Sequence, residues 1–188
     1  MTFFDPVMRM KRMLVKASRC YNEGKSRKAA DLAHRALLWS AQVRREAMTP
    51  EIRRLGSDLA AIGAFAHGRL ERFQVAEVWA RQSVLRDGTN PIAYEALGLG
   101  LAMNGHTIEA RAKFMEGVRL AQESHPADTE AEERINRQLL WLNKNESTIN
   151  DLYQRKQLEA KPGAEEDKSV KDVWARTRDV LHYPPPTS

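Results

Sequence analysis

The chain lacks most features on which secreted, membrane-spanning and disulfide-bonded proteins depend. It contains a single cysteine, Cys20, which cannot form an internal disulfide, so we expect a reducing compartment and a cytoplasmic location. Aromatic residues make up only 7% of the sequence. No apolar run approaches the roughly 18 residues that a membrane-spanning helix needs. The sequence therefore argues against a disulfide-rich secreted domain and against a membrane protein.

Motifs for catalysis and metal binding are also missing. The sequence contains no GxSxG, no HExxH and no phosphate-binding loop ending in GK[ST]. None of the five histidines has a second ligand residue at metal-binding spacing. They are His34, His67, His106, His125 and His182. We therefore predict that the protein is not an enzyme and that it uses neither a metal nor another cofactor.

Charge is distributed unevenly along the 188 residues. Residues 1–54 contain 13 Lys and Arg against 5 Asp and Glu, whereas residues 55–188 contain 17 against 20. The basic N-terminal third is either a solvated helical surface or a face for an acidic partner. It lacks interleaved aromatic residues on which bases stack, so nucleic acid is not an expected partner, and neither is a membrane.

What the sequence does contain is a repeated pattern of large and small residues. Its clearest copy spans residues 91–124, with large or small side chains at Tyr94, Leu97, Gly98, Leu101, Gly105, Ala110, Phe114 and Gly117. This pattern resembles the tetratricopeptide repeat (TPR), a unit of about 34 residues that forms two antiparallel helices. The resemblance implies an all-α fold, a right-handed α-solenoid of TPR-like helix pairs with a C-terminal capping helix.

We predict three repeats in one domain over residues 1–160. They lie at about 10–43, 50–90 and 91–124, and a capping helix follows over 127–160. Lys16 departs from the leucine of the family pattern in the first repeat. The first helix of the second repeat begins at Thr49-Pro50 and is longer at its front than the family pattern. Asn143–Asn145 is a candidate break in the capping helix.

The glycine-rich stretch GLGLAMNG lies inside the third repeat. Asn90-Pro91 predicts the start of its first helix and Asn104-Gly105 predicts the end. Gly98 and Gly105 fill pattern positions, but Gly100 does not. Because a glycine inside a helix costs roughly 1 kcal/mol relative to alanine, we expect the fourth helix or a bound partner to approach closely there.

The TPR resemblance also implies a binding surface. In this family the first helix of each pair lines a concave groove, and the matching positions here are Leu14, Ser18, Tyr21, Asn22, Phe65, Arg69, Glu95, Leu99 and Met103. We regard Tyr21, Phe65, Leu99 and Met103 as candidate anchors. The resemblance implies a non-enzymatic interaction module that binds a partner protein or peptide segment in this groove. A secretion-type chaperone for an apolar partner, and a structural or assembly subunit of a larger complex, stay open as alternatives.

Residues 161–188 are predicted to form a flexible tail. Within it, segment 169–181 is amphipathic, because its apolar residues recur at helical spacing. They include Val170, Val173, Trp174, Val180 and Leu181. A single helix of this length is marginal in water. The segment therefore docks on its own array, docks on a partner or a second copy of the chain, or stays disordered.

Overall fold

The computed structural model describes residues 6–41 and 48–159 of the chain. Every regular element within these ranges is an α-helix, so the described part is all-α, as predicted. The helices are α1 (Pro6–Asn22), α2 (Ser26–Ser40), α3 (Pro50–Arg69), α4 (Phe73–Arg86), α5 (Pro91–Met103), α6 (Thr107–Glu123) and α7 (Thr129–Glu159). No helix of the described ranges is long and apolar enough to cross a membrane.

Helix boundaries follow the capping residues of the sequence. The hydroxyl of Thr49 accepts a hydrogen bond from the backbone N–H of Ile52 at 3.2 Å, and α3 starts at the proline that follows Thr49. The side chain of Asn90 accepts from the N–H of Ile92 at 3.0 Å at the start of α5. Each cap satisfies one of the free N–H groups of a helix N-terminus. Gly105, with φ of +82°, follows the end of α5 in the left-handed conformation that glycine adopts without strain.

Small residues allow the helices to approach one another. A Cβ added at Gly98 would lie 2.6 Å from the ring of Phe114, so α6 places its buried phenylalanine directly against the backbone of α5. A Cβ added at Gly100 would lie 2.9 Å from the Cα of Glu77 in α4. The expectation of a close helix approach at Gly100 is therefore confirmed, and the neighbour is α4.

The last helix covers the end of the array. It packs on α6 and on α5, and it buries a stripe of apolar residues, which includes Ile135, Leu142, Ile149 and Leu152. The predicted break at Asn143–Asn145 is wrong, since α7 runs without interruption through it. Its apolar stripe continues on both sides of these asparagines. The side chain of Asn145 donates to the carbonyl of Trp141 at 2.7 Å and is thereby accommodated within the helix.

Candidate binding surface on the odd-numbered helices

The odd-numbered helices form the closer-packed layer of the molecule. α1 packs on α3, α3 on α5, and α5 on α7. No comparable packing joins α2 to α4 or α4 to α6 within the described ranges. We call the face formed by the odd-numbered helices the inner face.

Three of the sequence-predicted groove residues contact one another where α1 meets α3, and we call them the α1–α3 cluster: Tyr21, Phe65 and Arg69. The ring centroids of Tyr21 and Phe65 are 6.1 Å apart. The guanidinium carbon of Arg69 lies 3.7 Å from the centroid of the Tyr21 ring, which is a cation–π arrangement. One guanidinium nitrogen of Arg69 also donates to the backbone carbonyl of Tyr21 at 2.6 Å. Arg69 therefore joins the C-terminal ends of α1 and α3.

Tyr21 is almost completely shielded from solvent. Its side chain is 6% exposed, and its hydroxyl lacks a well-formed hydrogen bond to any described residue. Burial raises the pKa of Tyr21 to about 12, and the nearby charge of Arg69 opposes part of this rise, while Glu95 adds to it. The phenol is therefore neutral at physiological pH.

Four other predicted groove residues retain some exposure. Met103 is half-buried, and its sulfur would lie 3.4 Å from a Cβ added at Gly68, so α5 meets α3 there. Leu14 and Ser18 are half-buried on α1, and Asn22 is exposed at its end. Leu14 also packs against the buried core between α1, α2 and α3. Helical spacing puts Leu14 and Ser18 on the same side of α1 as Tyr21.

Three predicted groove residues belong to the interior. Tyr21 is 6% exposed and packs in the core between α1, α2 and α3, so the prediction that it lines an open surface is corrected. Leu99 is 4% exposed and packs in the main core, whereas the side chain of Glu95 is fully buried. Nε of Arg134, on α7, donates to both carboxylate oxygens of Glu95 at 3.0 and 2.7 Å. The prediction that Leu99 and Glu95 line an open surface is corrected as well, because α5 is packed between α3 and α7. The sequence pattern of a single repeat contains no signal for Arg134, which comes from a different helix.

The tail residues Val170, Val173, Trp174, Val180 and Leu181 lie outside the described residues, so tail docking stays a prediction. In residues 6–41 and 48–159, no group of three or more His, Cys, Asp or Glu is placed to hold a metal ion.

Comparison with known proteins adds no further identification. No protein-family model, curated protein or solved structure matches the chain. The likeness of residues 91–124 to the tetratricopeptide repeat therefore stays a resemblance in sequence pattern, and the described part of the chain is all-α.

Proposed function

We propose that the chain is a right-handed TPR-like solenoid and that it acts as a non-enzymatic interaction module. The inner face of the odd-numbered helices would bind a segment of a partner protein. The observation that carries this proposal is the partly exposed pair Phe65 and Arg69 of the α1–α3 cluster, which the buried ring of Tyr21 contacts from within. Phenylalanine and arginine are enriched at protein interfaces.

The neighbouring charges favour one kind of partner segment. α1 has the sequence PVMRMKRMLVKASRCYN, with five basic residues and no acidic one. Leu14 on α1 and Met103 on α5 are half-buried, so part of each apolar side chain is accessible. An apolar segment flanked by acidic residues would complement both features, because long-range attraction to α1 would orient it before the apolar contacts form.

Two substitutions on the inner face and one matched control test the proposal. Leu14→Lys and Met103→Lys place a charge among the apolar contacts, whereas Ile108→Lys makes the same kind of change on α6, where the side chain is 78% exposed. Each full-length protein is immobilised on a resin and incubated with an extract of the native organism. The bound proteins are then quantified by mass spectrometry. For both inner-face variants, we expect the recovered amount of a specific partner to fall by about 90% relative to the unmodified chain. Ile108→Lys should retain it.

The captured partner then has to be shown to bind directly. Overlapping synthetic peptides of that partner identify the bound segment, and calorimetry measures its Kd for the four proteins. Circular dichroism verifies that all variants are folded. If Leu14→Lys and Met103→Lys are folded and bind every partner as the unmodified chain does, the inner face is not the binding surface.

Two further observations would favour one or the other of the alternatives. A dedicated chaperone would be recovered with a partner that is insoluble in its absence. An assembly subunit that docks through its tail would lose its partner, or its self-association, when residues 162–188 are deleted.

A further inference from the structure

A second surface lies on the opposite side of α3. It is a cleft of about 600 Å³ between α2 and α4, and the C-terminal end of α3 forms its floor. The cleft exists because α2 and α4 both pack on α3 but do not pack comparably on each other within the described ranges. Its polar and aromatic lining comes from Arg27, Asp31, His34, His67, Arg72 and Trp79.

The aromatic part of the cleft is closely packed. A Cβ added at Gly63 would lie 2.3 Å from the Trp79 ring, so the indole packs directly against the backbone of α3. The centroid of the His34 ring is 6.0 Å from that of Trp79, and the His67 centroid is 5.7 Å away. A planar ligand ring would therefore meet a fixed indole flanked by two imidazoles, without the cost of ordering a mobile side chain.

The charge of the cleft is positive. Arg27 and Arg72 line it together with a single carboxylate, that of Asp31, and none of the three forms an ion pair in the described ranges. α2 and α4 begin beside these arginines, and neither helix has a side-chain hydrogen bond at its N-cap. The positive ends of both helix dipoles therefore add to the two guanidinium charges.

We propose that this cleft binds a small aromatic anion, with its ring against Trp79 and its carboxylate or phosphate between Arg27 and Arg72. The volume lies within the range of 300–1,000 Å³ that is usual for small-molecule sites. Guanidinium groups are suited to carboxylate and phosphate because they offer paired N–H donors. This site shares no residue with the α1–α3 cluster, so it does not depend on the proposed groove function.

Binding of an anion would be coupled to proton uptake at His67. Burial lowers the pKa of His67, Arg72 and His34 lower it further, and Asp31 opposes them. Arg27 is the other charged group of the cleft. A bound anion stabilises the imidazolium and therefore raises the pKa of His67 in the complex. Affinity should be highest when the pH is below the pKa of the free protein, and it should fall as the pH rises through the higher pKa of the complex.

The experiment uses the full ¹⁵N-labelled chain and follows the indole N–H signal of Trp79 by NMR. Trp79→Phe identifies that signal among the four tryptophans. The probes are indole-3-acetate and phenyl phosphate, with indole as the ring alone and inorganic phosphate as the anion alone. We expect saturable shifts with both aromatic anions, and Kd values about tenfold lower than for either half. For indole-3-acetate, whose carboxylate stays ionised across this range, the Kd should also be lower at about pH 6 than at about pH 8.

Charge-reversal variants show whether the two arginines act locally. Arg27→Glu and Arg72→Glu should each raise the Kd about tenfold or more. Arg53→Glu is the matched control, because it makes the same change at an exposed position of α3 outside the cleft. It should leave the Kd within about a factor of two.

Three results would overturn the proposal. The first is no saturable shift with either aromatic anion up to about 10 mM probe. The second is binding of inorganic phosphate as tight as that of phenyl phosphate, which would leave the ring without a role. The third is an equal loss of affinity in Arg53→Glu, which would mean that net charge alone attracts the probe.

Discussion

Gly100→Ala makes a sharp test of the helix packing, because two effects of opposite sign compete at this position. Alanine favours the helical backbone over glycine by roughly 1 kcal/mol. The new Cβ, however, would lie 2.9 Å from the Cα and 3.2 Å from the backbone nitrogen of Glu77. A backbone atom cannot rotate away as a side chain can, so α4 has to move away from α5. Overpacking of this kind costs about 1–3 kcal/mol.

A hydrogen-bonded group at the same contact increases that cost. The side-chain amide of Asn104 donates to the carboxylate of Glu77 at 2.8 Å and to the carbonyl of Phe73 at 3.2 Å, both on α4. It also lies 3.0 Å from the carbonyl of Gly100 itself. Moving α4 outward stretches the first two bonds together. We therefore expect the packing cost to exceed the gain in helix propensity, with a net loss of about 1–2 kcal/mol in the free energy of unfolding.

Gly56→Ala provides the matched control. Gly56 is also a buried glycine inside a helix, but its added Cβ would have Arg86 side-chain atoms at 3.4 and 3.5 Å as its nearest neighbours. These are ordinary contacts with a flexible side chain. The propensity gain should dominate, so this variant should be more stable than the unmodified chain by roughly 0.5–1 kcal/mol.

Urea unfolding followed by circular dichroism measures both changes, and thermal unfolding should show Tm shifts of about 2–4 °C per kcal/mol in opposite directions. The reasoning is refuted if Gly100→Ala is as stable as the unmodified chain or more stable. A loss in both variants would instead mean that glycine is needed for a reason unrelated to the distance from α4.

Two further predictions concern buried polar groups. Burial raises the pKa of Tyr21 from its ordinary value of 10.0 to about 12. Because the unfolded chain therefore releases this proton at a lower pH than the folded chain, the free energy of unfolding falls as the pH rises from about 10 towards 12. The loss should reach about 2–3 kcal/mol. Tyr21→Phe should flatten this loss in urea unfolding measured across that pH range, and an unchanged slope would contradict the assignment. Arg134→Met removes the cation that pairs with the fully buried carboxylate of Glu95, and it should lower the free energy of unfolding by roughly 3 kcal/mol. Adding Glu95→Gln should recover part of that loss in a double-mutant cycle, whereas strictly additive effects would show that the two groups are not coupled.

Local signals in the sequence were sufficient for much of the helix layout. Thr49 and Asn90 are caps whose side chains bond to the next turn, and Gly105 is a stop that needs a positive φ. Such signals depend on a few adjacent residues and are readable without the fold. The uninterrupted α7 was missed because Asn143–Asn145 has poor helix propensity, while the apolar stripe that holds the helix depends on tertiary packing.

The binding surfaces were less predictable for a physical reason. A repeat pattern assigns each position to a face of its own helix pair, but it does not say which faces neighbouring helices cover. Glu95 was expected at an open surface and is instead buried beside Arg134 of α7. Nothing in the sequence pattern singles out the cleft residues Arg27 and Arg72, since only the packing of α2 and α4 on α3 brings them together.

The last turn of α3 takes part in both surfaces. Phe65 and Arg69 belong to the α1–α3 cluster, whereas His67 faces the cleft, because residues two apart point to different sides of a helix. A substitution in this turn that shifts the helix end would therefore disturb both sites. Changes at Leu14 on α1 or at Arg27 on α2 avoid this ambiguity. If such a change affects binding at only its own surface, the two sites are energetically independent. An effect on binding at the other surface would show that the two sites are coupled.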